Sequence, residues 1–403
     1  MTMTFRLPAL AGLTALFTTL PAAALSPDEF AACQQTWQAQ AREQGLPDRL
    51  IEEVIPALRP LARVLELDQR QPEFTSSFAD YLSRRVSETR IETGQRMLES
   101  HADLLRRLTH EYGVPGRYLV SFWGLETNFG GYLGDMPTLD SLATLACDPR
   151  RSGYFTAELL TALGLLDDHG LAPQEMTGSW AGAMGHTQFM PSNYQRYGRD
   201  GDGDGRVDLW RSVPDALTSA AHFLSELGWE SELRWGREVR LPEGFDYSLA
   251  GRESRRPLRQ WAKLGIRTTN GAALPALDLP AALLVPAGHR GPAFLVYKNF
   301  DVIMRWNRSE FYAISVGRLA DRIIGAGPLA SPPPDAPRLS RATVKQLQAS
   351  LNAQGFDAGQ PDGILGPGTR AAISRFQLAH GMIADGFHSQ ELIDAVLAAD
   401  ASP

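Results

Sequence analysis

The chain has 403 residues, of which 43% are hydrophobic and 21% are charged, and its formal net charge is −7 at pH 7. This length exceeds that of a typical domain, so we expect two or more domains, and the hydrophobic fraction suits a globular protein with a substantial core. The negative charge argues against a nucleic-acid partner, because nucleic-acid-binding proteins carry a basic surface. No apolar run is long enough to form a transmembrane segment.

The first 24 residues have the pattern of a secretory signal peptide. Arg6 precedes an apolar run over residues 7–20, and three alanines at 22–24 form a small-residue cleavage site. Since Arg6 is the only charged side chain in residues 1–24, their removal changes the formal charge from −7 to −8. The pattern predicts export of the mature chain.

Two cysteines, Cys33 and Cys147, remain after export into an oxidising compartment. A disulfide between them fits that compartment, but the sequence does not show that the two residues meet. Cys33 also raises the alternative of a lipid anchor. Asp28 and Glu29 lie just upstream, where a lipoprotein signal is apolar, so we favour a soluble periplasmic protein.

The stretch 115–131 predicts a helix with a carboxylate on an apolar face. A proline suits the first helical position, and the glycines at 130 and 131 can end the helix. The residues that share one face at i, i+3, i+4 and i+7 are Leu119, Phe122, Trp123 and Glu126. Desolvation there would raise the pKa of Glu126, as a general acid near neutral pH requires. A glutamate at the rim of the face, with its carboxylate in water, fits the same pattern.

A second stretch, 178–192, combines small residues at 181–183 and 185 with neutral polar side chains. The small residues allow close backbone approach, and Ser179 and Gln188 offer neutral donors and acceptors. Such a segment suits the floor of a groove for an uncharged polymer such as a sugar chain. A glycine-rich packing contact between helices also explains it.

Together, Glu126-Thr127 and the later Gly-Ala-Met-Gly-x-x-Gln-Phe-x-Pro-Ser segment at 182–192 resemble the lytic murein transglycosylases of the membrane-bound lytic transglycosylase B family. The order of the two motifs, roughly fifty residues apart, is more specific than either motif alone. The resemblance covers about residues 27–328. It implies a lysozyme-like helical catalytic domain in which Glu126 is the catalytic residue.

The resemblance also implies a set of contacts to the saccharide. The matching residues are Tyr81, Arg150, Arg151, Tyr154, Ser179, Gln188, Phe189, Phe223, Trp306, Asn307 and Tyr312. Trp306 replaces a more usual tyrosine, which keeps a stacking face but changes the hydrogen bonding. Tyr81 fits a core tyrosine equally well. The two arginines suit the lactyl carboxyl group and peptide stem of muramic acid, or solvated charge at a helix start.

The segment 200–208 has the oxygen spacing of an EF-hand loop, which suits calcium. Position 12 is Arg211, where an ordinary loop has a bidentate glutamate. The resemblance implies that Asp215 completes the loop, although one extra residue precedes it here. The predicted calcium ligands are Asp200, Asp202, Asp204, Asp215 and the main-chain carbonyl of Arg206. We predict a structural Ca²⁺ and no organic cofactor; a polar Asp-Gly turn without an ion is the alternative.

The remaining segments predict a mainly α protein of the α+β class. A helix is predicted over 214–227, and short strand candidates over about 230–297 indicate a small β subdomain inserted in the helical domain.

Prolines in the linker 329–338 favour an extended polyproline II spacer. Residues 339–400 resemble the three-helix peptidoglycan-binding domain, on the strength of VKQLQ at 344–348 and DGILGPGTRAAISRFQ at 362–377. That resemblance implies tethering to the cell wall.

Three functions fit these features. A lytic transglycosylase would cut the β-1,4 bond between N-acetylmuramic acid and N-acetylglucosamine and form 1,6-anhydromuramoyl products. A lysozyme-like hydrolase would cut the same bond with water, and a non-catalytic wall-binding protein would cut nothing. Most glycoside hydrolases need two carboxylates, whereas only Glu126 stands in a distinctive setting here. One acid/base suits attack by the muramoyl C6 hydroxyl, so we predict a transglycosylase acting on peptidoglycan glycan strands. The sequence leaves the protein partners unknown.

Overall fold

The computed structural model describes residues 25–69, 76–336 and 339–400. The predicted signal peptide lies outside the described residues. The described chain is mainly helical, with one five-stranded and one two-stranded sheet, which confirms the predicted fold class. Within these ranges, every helix is too short or too polar to cross a membrane.

Six helices precede the catalytic motif, and a π-helical turn at Leu50–Val54 leads into the second of them. They are α1 (Pro27–Glu43), α2 (Ile55–Ala57), α3 (Ala62–Gln69), α4 (Phe78–Arg85), α5 (Glu88–Ser100) and α6 (Ala102–Tyr112). Side chains of serines 26, 77 and 87 accept hydrogen bonds from the first turns of α1, α4 and α5, which fixes where these helices begin.

The central helix α7 (Gly116–Thr127) carries Glu126. Nine of its twelve residues are buried, because other elements pack around the whole helix. Pro115 is the N-cap, not the first helical residue as predicted. The helix ends before the two glycines, at Asn128, whose φ of 51° is left-handed.

A second helical group packs beside α7. It comprises β1 (Met136–Pro137), α8 (Thr138–Ala146), α9 (Ser152–Asp168), β2 (Thr177–Gly178), α10 (Pro191–Tyr197) and α11 (Val213–Glu226). Strands β1 and β2 pair antiparallel. A disulfide between Cys33 and Cys147 joins α1 to the C-terminal end of α8, which settles the pairing that the sequence left open.

The predicted β subdomain is a five-stranded antiparallel sheet in the order β4-β6-β7-β3-β5. Its elements are β3 (Gly236–Arg240), β4 (Arg256–Pro257), α12 (Leu258–Lys263), β5 (Arg267–Thr268), β6 (Pro280–Leu284) and β7 (Ala293–Val296). Both faces are covered: Phe294 and Val296 join the core around α7, whereas Leu295 packs in a separate core with Trp261.

The chain returns through α13 (Lys298–Trp306) to α14 (Glu310–Ile323), which packs along α7. The segment after α14 lies against the β subdomain, because the backbone N–H groups of Ala330 and Ser331 donate to the carboxylate of Glu238. The proline-rich stretch is therefore fixed at its beginning to the β subdomain.

The C-terminal module has three helices, α15 (Arg341–Ala353), α16 (Pro367–Ala379) and α17 (Gln390–Asp400), around its own apolar core. The module lies against the preceding part of the chain. Arg370 Nη1 contacts Glu310 Oε2 at 2.9 Å, and His289 Nδ1 contacts the buried carboxylate of Asp385 at 2.7 Å. These two contacts dock the module beside α14 and the β subdomain.

Candidate active site

The carboxylate of Glu126 receives two hydrogen bonds, one from the end of α13 and one from the first turn of α14. Trp306 Nε1 donates to Glu126 Oε1 at 3.0 Å, and the hydroxyl of Tyr312 donates to the same oxygen. Glu126 is half-buried at the C-terminal end of α7, so the carboxylate is fixed by the protein and still reachable from outside. The predicted catalytic residue and two predicted sugar-contacting residues therefore form one cluster.

Burial raises the pKa of Tyr312 well above its usual value, and the negative charge of Glu126 raises it further. The phenol therefore stays protonated and remains a hydrogen-bond donor. Tyr81 lies nearby on α4, buried, with its ring under the guanidinium of Arg85 at 5.3 Å. Arg85 Nη1 in turn donates to the main-chain oxygen of Leu125, next to Glu126.

An aromatic cluster holds the indole of Trp306. Its ring centroid lies 4.4 Å from that of Phe122, 5.4 Å from that of Phe189 and 5.3 Å from that of Phe223. All three phenylalanines are buried. Phe189 and Phe223, predicted to touch sugar, therefore lie behind Trp306 and fix its ring.

The segment 178–189 packs on the end of α7 through His186. Trp123 Nε1 donates to His186 Nδ1 at 3.0 Å, and Thr127 Oγ1 donates to the main-chain oxygen of His186 at 2.8 Å. Burial lowers the pKa of His186, which keeps its ring neutral and Nδ1 an acceptor. Gly130, with φ +79°, lets the chain pass this ring, since a Cβ there would lie 2.3 Å from it. Trp123 thus contacts this segment.

Ser179 and Gln188 lie in the hairpin that this segment forms. Ser179 Oγ accepts from the N–H of Ala183 at 3.1 Å. Gln188 has a left-handed φ of 50°, and its amide nitrogen donates to the main-chain oxygens of Leu133 and Gly185, both at 3.0 Å. The local fold thereby holds both polar side chains beside α7.

The paired arginines at the start of α9 are engaged by aspartates. Arg150 contacts Asp148 through Nε at 3.0 Å and Asp68 through Nη2 at 2.9 Å, and Arg151 pairs with Asp68 as well. The ring of Tyr154 is 54% exposed, and partial burial of its hydroxyl raises its pKa to about 12. These three residues form a charged, partly aromatic edge of the catalytic domain.

The sequence did not single out three residues that support the site. His186 and Arg85 contact the end of α7, as described above. Glu158 is buried in α9 and accepts from the N–H and the hydroxyl of Ser192 at 2.9 and 2.6 Å, which fixes the end of the second motif. A lone carboxylate within the apolar stretch 155–166 was the available signal.

The Asp-Gly loop gathers three of the five predicted calcium ligands. Carboxylate oxygens of Asp200, Asp202 and Asp204 lie within 4.8 Å of one another on the surface. Hard oxygens that converge in this way fit calcium, since like charges would otherwise repel. Arg211, at position 12, is turned toward Glu175, with which it pairs at 2.8 Å.

Asp215 is buried beside the Asp-Gly loop, and its carboxylate bonds to both ends of the loop. Its two carboxylate oxygens accept from the N–H groups of Gly201 at 2.8 Å and Asp208 at 2.7 Å. Asp215 thus ties the two ends of the loop together, while the N–H of Arg206 donates to Asp204 at 2.8 Å. The assignment of Asp215 and of the Arg206 carbonyl as ligands stays a prediction.

Comparison with known proteins identifies the class. Residues 29–321 match the family model of the transglycosylase SLT domain, and residues 340–396 match that of the putative peptidoglycan binding domain. The chain therefore belongs to the SLT-domain transglycosylases and carries a C-terminal peptidoglycan-binding domain. Because the family match covers most of the chain, the predicted family and enzyme class are confirmed.

Individual relatives of known name agree with this family match. The chain is 30% identical over 305 residues to membrane-bound lytic murein transglycosylase B of Escherichia coli, which covers 72% of this chain and 82% of that protein. It is 42% identical to SltB3 of Pseudomonas aeruginosa, solved with NAG-NAM-pentapeptide, at a TM-score of 0.87 over 91% of this chain and 99% of that one. The Escherichia coli lytic transglycosylase Slt35, solved with calcium, is 29% identical, at a TM-score of 0.62 over 72% and 92%.

Proposed function

We propose that this protein is a lytic transglycosylase that cleaves the β-1,4 bond between N-acetylmuramic acid and N-acetylglucosamine in peptidoglycan and releases 1,6-anhydromuramoyl products. The observation that carries this proposal is the half-buried Glu126, held by Trp306 and Tyr312 at the end of a buried helix. Family membership supports the reaction, and the C-terminal domain supports the substrate.

Glu126 serves in turn as acid and as base. Its Oε1 accepts hydrogen bonds from Trp306 and Tyr312, and its carboxyl group, when protonated, delivers the proton to the glycosidic oxygen. Positive charge then develops at the muramoyl C1. Glu126, now a carboxylate, takes the proton of the C6 hydroxyl, whose oxygen bonds to C1 and closes the anhydro ring. Trp306 and Tyr312 stabilise the carboxylate between the two steps.

A hydrolytic mechanism is less well supported, because the other buried carboxylates are engaged in structural contacts. In the described part of the chain these are Glu158, Asp215 and Asp321, together with the carboxylates of Asp68, which pairs with Arg150 and Arg151, and of Asp385, which pairs with His289. Glu158 accepts from Ser192, Asp215 closes the Asp-Gly loop, and Asp321 accepts from Trp235 Nε1 at 3.1 Å. A single acid/base at Glu126 suits intramolecular attack by the C6 hydroxyl.

Direct sugar contacts are proposed for the exposed and half-buried residues around Glu126. These are Ser179, Gln188, Trp306, Asn307 and Tyr154, with Arg150 and Arg151 at the edge. Phe189 and Phe223 are proposed to act through Trp306, since both are buried behind it. Tyr81 is proposed to act through Tyr312, whose pKa it influences.

The proposal also includes a calcium ion in the Asp-Gly loop and the location of the protein in the cell. Asp200, Asp202 and Asp204, with Asp215 and the Arg206 carbonyl, would hold a calcium ion that orders the loop and takes no part in the reaction. The protein belongs outside the cytoplasm at the cell wall, and we propose the periplasm. The disulfide fits an oxidising compartment and engages the Cys33 sulfur, to which a lipid would be attached.

Mass spectrometry of digested sacculi tests the function. Anhydromuramoyl ends are expected at every cut. Reducing muramoyl ends would indicate a hydrolase, and intact sacculi with the protein bound would indicate a binding protein.

A further inference from the structure

A cavity of about 380 Å³ lies where the C-terminal module meets the catalytic part of the chain. We call it the junction cavity; it is lined among others by Arg252, Asn307, Arg308, Phe311, Ile364 and Arg370. These residues come from the β subdomain, from the segment 307–311, and from the C-terminal module. Its volume falls within the range of small-molecule sites.

The junction cavity adjoins the catalytic cluster along one short segment. The two ends of this segment, Trp306 and Tyr312, both donate to Glu126. The residues between them, 307–311, line the cavity. A group bound in the cavity is therefore attached to the same segment that holds the catalytic acid.

The charges in the junction cavity do not balance. Arg370 is paired with Glu310 at 2.9 Å, and Asp385 is paired with His289. Arg252 has only Glu253 at 3.7 Å, a carboxylate that is 93% exposed. Arg308 is exposed and makes no ion pair with any residue of the described ranges. The cavity therefore offers one unpaired and one weakly paired guanidinium to an anion.

The apolar walls and the arginines of the junction cavity indicate the chemical class of its ligand. Apolar side chains such as Val285, Met304 and Ile364 line the cavity beside the arginines. A short peptide with carboxylates and small apolar side chains matches both features, since a guanidinium binds a carboxylate through two parallel hydrogen bonds. Arg150 and Arg151, which the sequence suggested for the peptide stem, already pair with Asp68.

We propose that the junction cavity binds the peptide stem of the muramoyl residue, with Arg308 pairing with a stem carboxylate. This inference rests on the proposed function and adds to it a substrate preference: glycan with stems is cleaved better than glycan without them. The C-terminal module then forms one wall of a substrate site in addition to binding the cell wall.

The test compares two glycans of the same length, one with stems and one from which an amidase has removed them. The readout is the ratio of kcat/KM on the two substrates. Wild type should favour the stem-bearing glycan, and Arg308→Gln should lower this ratio about tenfold, mainly through KM, as expected for one charged hydrogen-bonded pair. Arg308→Lys should recover part of the loss.

Ile364→Asp tests the wall supplied by the C-terminal module, because it places a negative charge in the junction cavity at a half-buried position. It should lower the ratio as well. Arg106→Gln, on the exposed face of α6, is the matched control and should leave the ratio unchanged. A wild-type ratio near one, or a ratio that Arg308→Gln does not lower, overturns the proposal. Absence of anhydro products from both glycans would instead reject the proposed function.

Discussion

Trp306 and Glu126 are 180 residues apart in sequence, and the indole Nε1 of one donates to the carboxylate Oε1 of the other at 3.0 Å. Contact of the indole with the tilted ring of Phe122, one turn before Glu126 on α7, holds this geometry. The residue that the family usually has as tyrosine is thus a positioning group for the acid here.

Trp306→Phe should keep the ring and lose the hydrogen bond. We expect kcat to fall about tenfold or more, because a hydrogen bond to a charged group contributes about 1.5–3 kcal/mol. The rate of anhydromuropeptide release measures it. Trp210→Phe is the matched control: this half-buried indole donates to the oxygen of Thr177 at 2.8 Å. Equal losses in both variants would show that Trp306 acts only through folding.

Local sequence patterns predicted what lies on one helix, but not what meets it from elsewhere. The spacing of Phe122 and Glu126 predicted the helix correctly, and the role of Glu126 as the acid stays a prediction. The same spacing assigned Trp123 to shield the acid, whereas its indole contacts His186. That choice depends on where the segment 178–189 packs, which periodicity within α7 does not encode.

The β subdomain and the Asp-Gly loop show a similar limit. Short strands were predicted over about 230–297, but β4 and β5 have two residues each and no pattern to detect. The loop spacing predicted three converging aspartates. Whether Asp215 reaches the same point depends on the course of the backbone through the extra residue. In the structure, the two oxygens of the Asp215 carboxylate accept hydrogen bonds from two backbone N–H groups.

The Asp-Gly loop should bind calcium and stabilise the fold by mass action. Chelator should lower the melting temperature by a few degrees, and added calcium should restore it. Asp202→Asn removes one of the three clustered carboxylates and should abolish most of this response. Asp278→Asn, at another exposed aspartate, should leave the response intact. A melting temperature that neither chelator nor calcium changes would contradict the site.

His186 should make the protein sensitive to acid. Burial lowers its folded pKa below the usual value of 6.5, so the unfolded chain binds a proton more readily. The stability that neutral His186 provides is therefore fully present above about pH 6.5 and is lost as the pH falls below that value. His186→Gln keeps an acceptor for Trp123. We expect its melting temperature to fall less between pH 7 and pH 5 than that of the wild type.

The exposed His110 provides the control for this measurement. His110→Gln should follow the wild-type pH dependence, because its imidazole does not need to lose water on folding. Parallel curves for His186→Gln and wild type would mean that the acid sensitivity arises elsewhere, for example at His388, whose pKa burial lowers to about 4.

Deletion of residues 331–403 should weaken binding to whole sacculi, since tethering raises the effective concentration of the catalytic part at the wall. Pelleting with sacculi measures this loss. Cleavage of short stem-free glycans should persist, because Glu126, Trp306 and Tyr312 lie outside the deleted segment. Loss of that cleavage in a folded variant would show that the docking contacts at Glu310 and His289 maintain the active site.

Glu126→Gln tests the catalytic assignment itself. Glutamine keeps the shape and an oxygen that accepts from Trp306 and Tyr312, but it has no proton to give to the glycosidic oxygen and cannot take one from the C6 hydroxyl. Release of anhydromuropeptides should therefore fall by at least the ~10²–10⁴ assigned to acid–base catalysis. Binding to sacculi should persist, because the proposed sugar-contacting side chains and the C-terminal module are unchanged. Glu99→Gln, at an exposed position of α5, should retain wild-type activity. Release by Glu126→Gln at a near wild-type rate would place the acid elsewhere.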